Sequence, residues 1–252
     1  KRVIAAAAAS LIAATGLVAC SSETESSAGN GDGDKVTVKI GTTDADQKAW
    51  SVFADEAQKA GIDLDIMRFT EYPQVNPAQV EGQIEISKFQ TINYQAQYNA
   101  TAGEDLRIIG SGEINILGLY WKDHDSLDGI EGTEIAIPND PSNQGRAINV
   151  LVQAGLLTLS DSVADELAPT PADIDKDASK VTVTPVDASQ TPNAYNEGRP
   201  AVINNTWLDR AGIEPGLAIF QDDPESKEAE PYINVFAAQA DDIDDETLNK
   251  LV

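Results

Sequence analysis

The chain has 252 residues, 41% of them hydrophobic, enough for one sizeable domain or two lobes with a normal core. Forty-two acidic against 17 basic residues give a formal charge of −25, which repels nucleic-acid phosphates and anionic lipid headgroups and excludes a nucleic-acid partner. The single cysteine allows no disulfide within the chain, so stability has to come from packing.

That cysteine, Cys20, closes the first segment. Lys1-Arg2 precedes an almost unbroken apolar stretch from Val3 to Ala19, and the stretch ends in Leu17-Val18-Ala19-Cys20. Charge, apolar core and small residues at the break are the plan of a secretory signal. A cysteine at the break resembles a lipobox. Residues 1–19 are therefore expected to be a signal peptide, with Cys20 the acylated N-terminus that holds the body on the outer face of a bacterial cytoplasmic membrane. A plain signal peptide and a membrane span are the alternatives, although a span needs about 20 apolar residues and this stretch is slightly short. From Ser21 to Asp34 the only apolar side chain is Ala28, so residues 20–35 read as the acylated cysteine and a flexible tether.

Structure begins with Val36, Val38 and Ile40 alternating against polar residues, the period of a half-buried strand. Trp50, Phe53, Ala54 and Ala57 then recur at helical spacing, with Gly61 placed to end the helix. Ile62, Leu64 and Ile66 alternate again. Strand, helix and strand with short connections predict a parallel α/β unit. The same order returns with a strand at Glu134 to Pro138, a helix from about Ser142 to Ala154, a strand at Val181 to Val186 and a helix over Ala188 to Glu197. Ala201-Val202-Ile203 fits a buried strand, and Asn204-Asn205-Thr206 supplies caps for another helix. The polar segment Thr158 to Lys180 reads as a surface excursion, and the acidic run Asp241 to Glu246 as the start of a final helix. Two α/β units in series predict two lobes: residues 36–117 with 206–252 form the first, and 118–205 the second.

The chemistry concentrates at Asn139-Asp140-Pro141-Ser142-Asn143-Gln144-Gly145-Arg146, a strand-to-helix junction of the kind where open α/β sheets place ligands. Unpaired N–H groups at a helix start favour an anion. Arg146 sits close to that start, where its charge opposes the helix dipole. Two readings remain open. A ligand carboxylate bridges the guanidinium and the N–H groups, or Arg146 pairs with one of the many surface acids. On the first reading, removing Arg146 spares folding.

The run Ile135 to Ile148, followed by Ala154-Gly155-Leu156-Leu157, resembles the NlpA-type lipoprotein family, whose best-known members are methionine-binding proteins of ABC importers. Phe69-Thr70-Glu71-Tyr72, Phe89-Gln90, Gly118-Leu119-Tyr120, Ser126-Leu127-Asp128, Thr170-Pro171-Ala172-Asp173-Ile174, Ala201-Val202-Ile203-Asn204 and Pro231-Tyr232-Ile233-Asn234 match it in family order. The resemblance implies a two-lobed α/β fold of the periplasmic-binding-protein class, type II, closing over an amino acid. It implies that Arg146 binds the α-carboxylate, that Asn204 and Asn234 hydrogen-bond the ligand's polar backbone groups, and that Tyr72, Phe89 and Tyr94 line the side-chain pocket. Asn143 and Tyr120 complete the implied ligand set. Read by themselves, Tyr72 and Phe89 fit ordinary core aromatics equally, and Asn204 a helix cap. The implied partners are a membrane permease and, through it, a cytoplasmic ATPase, with the protein a monomer that needs no cofactor.

The chain departs from the family at Ser87, Thr91, Asn93, Glu113 and Asn115, where the family carries asparagine, histidine, proline, and the histidine and glutamate of His-x-Glu-Pro. These positions fall in the first lobe, so the resemblance implies an amino acid more firmly than methionine itself. The chain ends at Val252, near where members continue into further helix, and begins without methionine; a fragment is expected.

Two other functions compete. A lipid-anchored hydrolase needs a base beside its nucleophile, and the sole histidine, His124, sits in the polar loop Lys122-Asp123-His124-Asp125. No histidine and cysteine cluster or calcium-loop spacing nominates a metal site. A structural surface lipoprotein would need no cleft.

Overall fold

The computed structural model describes residues 35–163 and 167–252. The signal segment, Cys20 and all but the last residue of the tether lie outside the described residues.

Strand β1 (Val36–Thr42) runs parallel to β2 (Ile62–Arg68), with Ile40 opposite Ile66. Between them α1 (Lys48–Lys59) buries Trp50 and Ala57, the stripe expected from its spacing. Gly61, at φ 85°, takes the left-handed turn out of that helix at no steric cost. Next come α2 (Val75–Val80), β3 (Ile86–Thr91), α3 (Ile92–Ala102) and β4 (Leu106–Ile114). The fifth strand of this sheet, β10 (Ile233–Gln239), arrives from far along the chain and lies antiparallel between β3 and β4, giving the order β2-β1-β3-β10-β4.

The second sheet is built from β5 (Leu117–Tyr120), β6 (Glu134–Pro138), β7 (Thr182–Val186), β8 (Ala201–Asn204) and β9 (Ala218–Gln221), in the order β7-β6-β8-β5-β9. Here β6 runs parallel to β7 and β8, while β5 is antiparallel to β8 and β9. Helix α4 (Pro141–Gln153) covers one face, burying Ala147, Ile148, Val150 and Leu151 against Ile135, Ile137 and Leu119. Helices α5 (Thr191–Asn196), α6 (Asn205–Ala211) and α7 (Glu246–Leu251) complete the chain; Asp245 caps α7, accepting from the Thr247 and Leu248 N–H groups at 2.8 and 2.9 Å.

The sheets divide the chain differently from the expected boundary at residue 206. Strand β9 lies inside the span expected for the first lobe, yet pairs with β5, Leu119 opposite Phe220. The chain therefore leaves the first sheet at residues 115–116 and regains it only across 222–232. Helix α6 obscures this division because its buried Trp207 and Leu208 share one cluster with Tyr72 and Phe89 from the first half and Ala201 and Ile203 from the second. A separate cluster holds Val38, Ile40, Trp50 and Ile86 with Leu248 and Leu251 of α7. No helix among the described residues is long and apolar enough to cross a membrane.

Candidate functional site

A cleft lies where the two sheets meet, with about 440 Å³ of space once the open solvent at its mouth is included. Tyr72, Phe89, Gln90, Thr91 and Tyr94 line it from the first half, and Asn115 and Ile116 from the first crossing. Asn143 and Arg146 come from α4, Asn204 to Thr206 from the junction of β8 with α6, and Asn234 from the start of β10.

Three aromatic rings form the apolar wall. Phe89 lies 6.1 Å from Tyr72 and 5.6 Å from Tyr94 between centroids, and Trp207 backs Tyr72 at 5.1 Å. Thr91 fixes Tyr94 by capping α3, its Oγ1 accepting from the Tyr94 N–H at 3.2 Å. Burial raises both tyrosine hydroxyls above the usual phenol range, so both remain neutral.

The polar wall grows from the start of α4. Pro141 occupies the first helical position and Asp140 is the cap, accepting the Asn143 N–H at 2.9 Å. Burial pushes the Asp140 carboxyl up to about 6, against the opposing effect of the hydrogen bonds from Asn143. The Asn143 side chain donates to both Asp140 oxygens, at 3.0 and 3.1 Å, and accepts from Asn204 Nδ2 at 2.8 Å. Asn204 Oδ1 is buried with no hydrogen-bond partner among the described residues. An unpaired buried acceptor costs about 1–3 kcal/mol unless something donates to it.

Arg146 is itself buried, its side chain 5% exposed. Nε donates to Asp222 Oδ2 at 2.8 Å, Nη2 donates to the Asn115 carbonyl at 2.7 Å, and the guanidinium lies 4.4 Å over the Tyr232 ring. Its acid partner is thus an interior one, not a surface one, since Asp222 is only 11% exposed. The expectation that folding is indifferent to Arg146 is corrected accordingly: removing the cation strands a half-buried carboxylate. Nη1 forms no hydrogen bond with the described residues, and Arg146 borders the cleft.

Among the expected site residues, Tyr72, Phe89, Tyr94, Asn143, Arg146, Asn204 and Asn234 meet at the cleft, and Tyr120 does not. Tyr120 is 3% exposed at the end of β5 and donates its hydroxyl to the Pro215 carbonyl at 3.2 Å, a core aromatic with its polar end satisfied. Cys20 lies outside the described residues. Asp140 falls in the run that the sequence singles out but is given no role there, its cap position before Pro141 being its only signal, and nothing local signals Asp222.

The family departures acquire local roles. Ser87 is buried and donates to Gln79 Oε1 at 2.8 Å, while Asn93 reaches across from α3 to Ser142 of α4 at 3.1 Å. Glu113 pairs with Lys88 at 2.6 Å. His124 stacks on Trp121 with centroids 3.3 Å apart, and its Nδ1 lies 2.8 Å from the Lys122 carbonyl oxygen. No group of three or more histidine, cysteine or acidic side chains poised to hold a metal occurs among the described residues.

Comparison with known proteins places this geometry in context. The model of a family described as NlpA lipoprotein matches residues 38–252. The "D-methionine-binding lipoprotein MetQ" of Escherichia coli (strain K12) is 31% identical over 98% of this chain and 88% of its own length. The structure of a nutrient-binding protein from Burkholderia cenocepacia bound to methionine superposes with a TM-score of 0.78 at 30% identity, covering 85% of this chain and 89% of that one. The substrate-binding protein of a methionine transporter from Streptococcus pneumoniae gives 0.77 at 28% identity, over 85% of each chain.

Proposed function

Because the chain belongs to the NlpA lipoprotein family, we propose that it is the lipid-anchored, monomeric binding protein of an ABC importer. It captures an amino acid, methionine or a related apolar one, and delivers it to a membrane permease served by a cytoplasmic ATPase. The observation that carries this reading is the unpaired buried Asn204 Oδ1 in a cleft that also presents Arg146 and an aromatic wall. An amino acid supplies the missing groups: an ammonium donates to Asn204, a carboxylate accepts from Arg146 Nη1, and an apolar side chain packs on Tyr72, Phe89 and Tyr94. Asn143 supports Asn204, and Asn234 offers a further polar contact. The names of the three relatives described above, each given for binding or transport, support the same reading.

The anchor is Cys20, and the site faces the outside of the cytoplasmic membrane. The lobes are residues 35–114 with 233–252, and 117–221, closing about the two crossings when ligand binds. A thermal-shift panel of amino acids tests the function. A ligand at one hundred times its dissociation constant adds about 2.7 kcal/mol, and methionine or an apolar relative should give the largest rise. A panel in which no amino acid raises the melting temperature defeats the proposal.

A further inference from the structure

Resting on the amino-acid reading of the cleft, we propose that Asp140 is a positioning residue that sets which end of the Asn204 amide is left for the ligand, and thereby selects ligands carrying an amino group. Asp140 does not line the cleft; it acts through Asn143.

The argument follows the donors. A carboxylate has only acceptors, so the Asn143 side chain must present its NH₂ to Asp140, where Nδ2 lies 3.0 and 3.1 Å from the two oxygens. That choice turns Asn143 Oδ1 the other way, where it accepts from Asn204 Nδ2 at 2.8 Å. Asn204 has then turned its NH₂ towards Asn143, one N–H donating there, and its Oδ1 is left buried with no partner among the described residues. An isolated asparagine could offer a ligand either donor or acceptor. Here two amides in series transmit the acceptor-only character of Asp140, so the cleft offers an acceptor. A ligand with an ammonium satisfies that oxygen with a charge-assisted bond, whereas a ligand lacking N–H leaves it buried and unsatisfied. The cap bond from the Asn143 backbone N–H to Asp140 Oδ1 at 2.9 Å holds the first turn of α4 in register for this relay.

The test compares wild type with Asp140→Asn and with the exchange Asp140→Asn/Asn143→Asp. Asparagine caps a helix as well as aspartate does, so the single variant keeps the fold. Its amide can donate to Asn143, which lets the relay turn over. In the exchange, the new carboxylate at position 143 again accepts from Asn204 Nδ2, restoring the direction. The probes are methionine and its desamino analogue, with hydrogen in place of the α-amino group, titrated by calorimetry at neutral pH.

The ratio of the two affinities should fall at least about tenfold in Asp140→Asn, with the desamino affinity within about threefold of wild type, and should recover in the exchange. General loosening of the site would weaken both probes together and leave the ratio alone. A ratio unchanged in Asp140→Asn, or a ratio that the exchange does not recover, overturns the proposal. A second arm needs no ligand: the Asn204 side-chain amide protons, protected from exchange in the wild type, should lose protection in Asp140→Asn, and unaltered protection overturns the relay. Wild-type protein that takes up neither methionine nor any other amino acid overturns the amino-acid reading instead, and the amide arm still decides whether Asp140 orients Asn204.

Discussion

Arg146 and Asp222, 76 residues apart, meet at 2.8 Å from Nε to Oδ2, and the other oxygen of Asp222 accepts the Leu117 N–H at 2.9 Å. One carboxylate therefore fastens α4 to both segments by which the chain passes between the sheets. Replacing Arg146 with alanine leaves that half-buried carboxylate without its counter-charge. A loss of about 3–5 kcal/mol in chemical denaturation is expected, in addition to weaker ligand binding. The paired change Arg146→Met/Asp222→Leu should be more stable than Arg146→Ala, since no orphan charge remains. An Arg146→Ala protein as stable as wild type would show that the pair holds nothing together.

Gly145 sits inside α4 because another stretch of backbone crosses it. A Cβ there would lie 2.7 Å from Ala168 Cα and 2.7 Å from the Leu167 carbonyl oxygen, and neither can swing away as a flexible side chain would. Gly145→Ala normally gains helix propensity, yet here it should cost about 1–3 kcal/mol through overpacking and weaken ligand binding by displacing its neighbour Arg146. Denaturation midpoints and calorimetry check both effects, and a stabilised Gly145→Ala protein would contradict the close approach.

Asp140 gives a pH signature. Its carboxyl is near 3.8 in a free chain and about 6 in the fold. Below the lower value both states hold the proton, so the group contributes nothing. As pH rises between the two, the unfolded chain ionises first and the fold loses stability, fully so above the higher value. The groups facing Asp140 are Asn143, the Asp187 carboxylate, which reinforces the shift, and the neutral Tyr72 and Tyr94. Wild type should therefore gain stability relative to Asp140→Asn as pH falls from about 7 to about 4. Thermal melts of both proteins across that window decide it; a constant difference, or one of opposite slope, counts against the buried carboxyl.

Cys20→Ser should abolish acylation, leaving an uncleaved precursor or a shed form, which fatty-acid labelling and fractionation read out. Labelled fatty acid on the serine variant would refute the anchor.

Much of the fold is written locally. Alternation at Val36 to Ile40 and at Ile62 to Ile66 specifies two strands, and Trp50 and Ala57 define the face that packs between them. The α4 junction is legible too, since a cap residue, a proline and a helical stripe lie side by side in the chain. Helix α3 is not, because its buried side chain is Gln95, which donates to the Leu106 carbonyl at 2.7 Å and leaves no apolar stripe to read. Strand β9 is a run of four residues without alternation, and only pairing with β5 assigns it to a sheet. Within the site, the aromatic and asparagine positions could be named from motifs, but the Arg146–Asp222 pair depends on two segments brought together by folding. Tyr120 shows the converse limit: a motif residue in place, with its hydroxyl spent on Pro215.

The placement of β10 also governs the order in which the molecule can be finished. Strands β3 and β4 do not pair with each other; each waits for β10 to enter between them, and β10 follows the whole second sheet in the chain. During synthesis the first sheet consequently keeps two unsatisfied edges until residues 233–239 have emerged, however early its other strands appear. Pairing across such long separations is slow. A nascent chain of this kind can close its second sheet before its first, although the first begins earlier in the sequence.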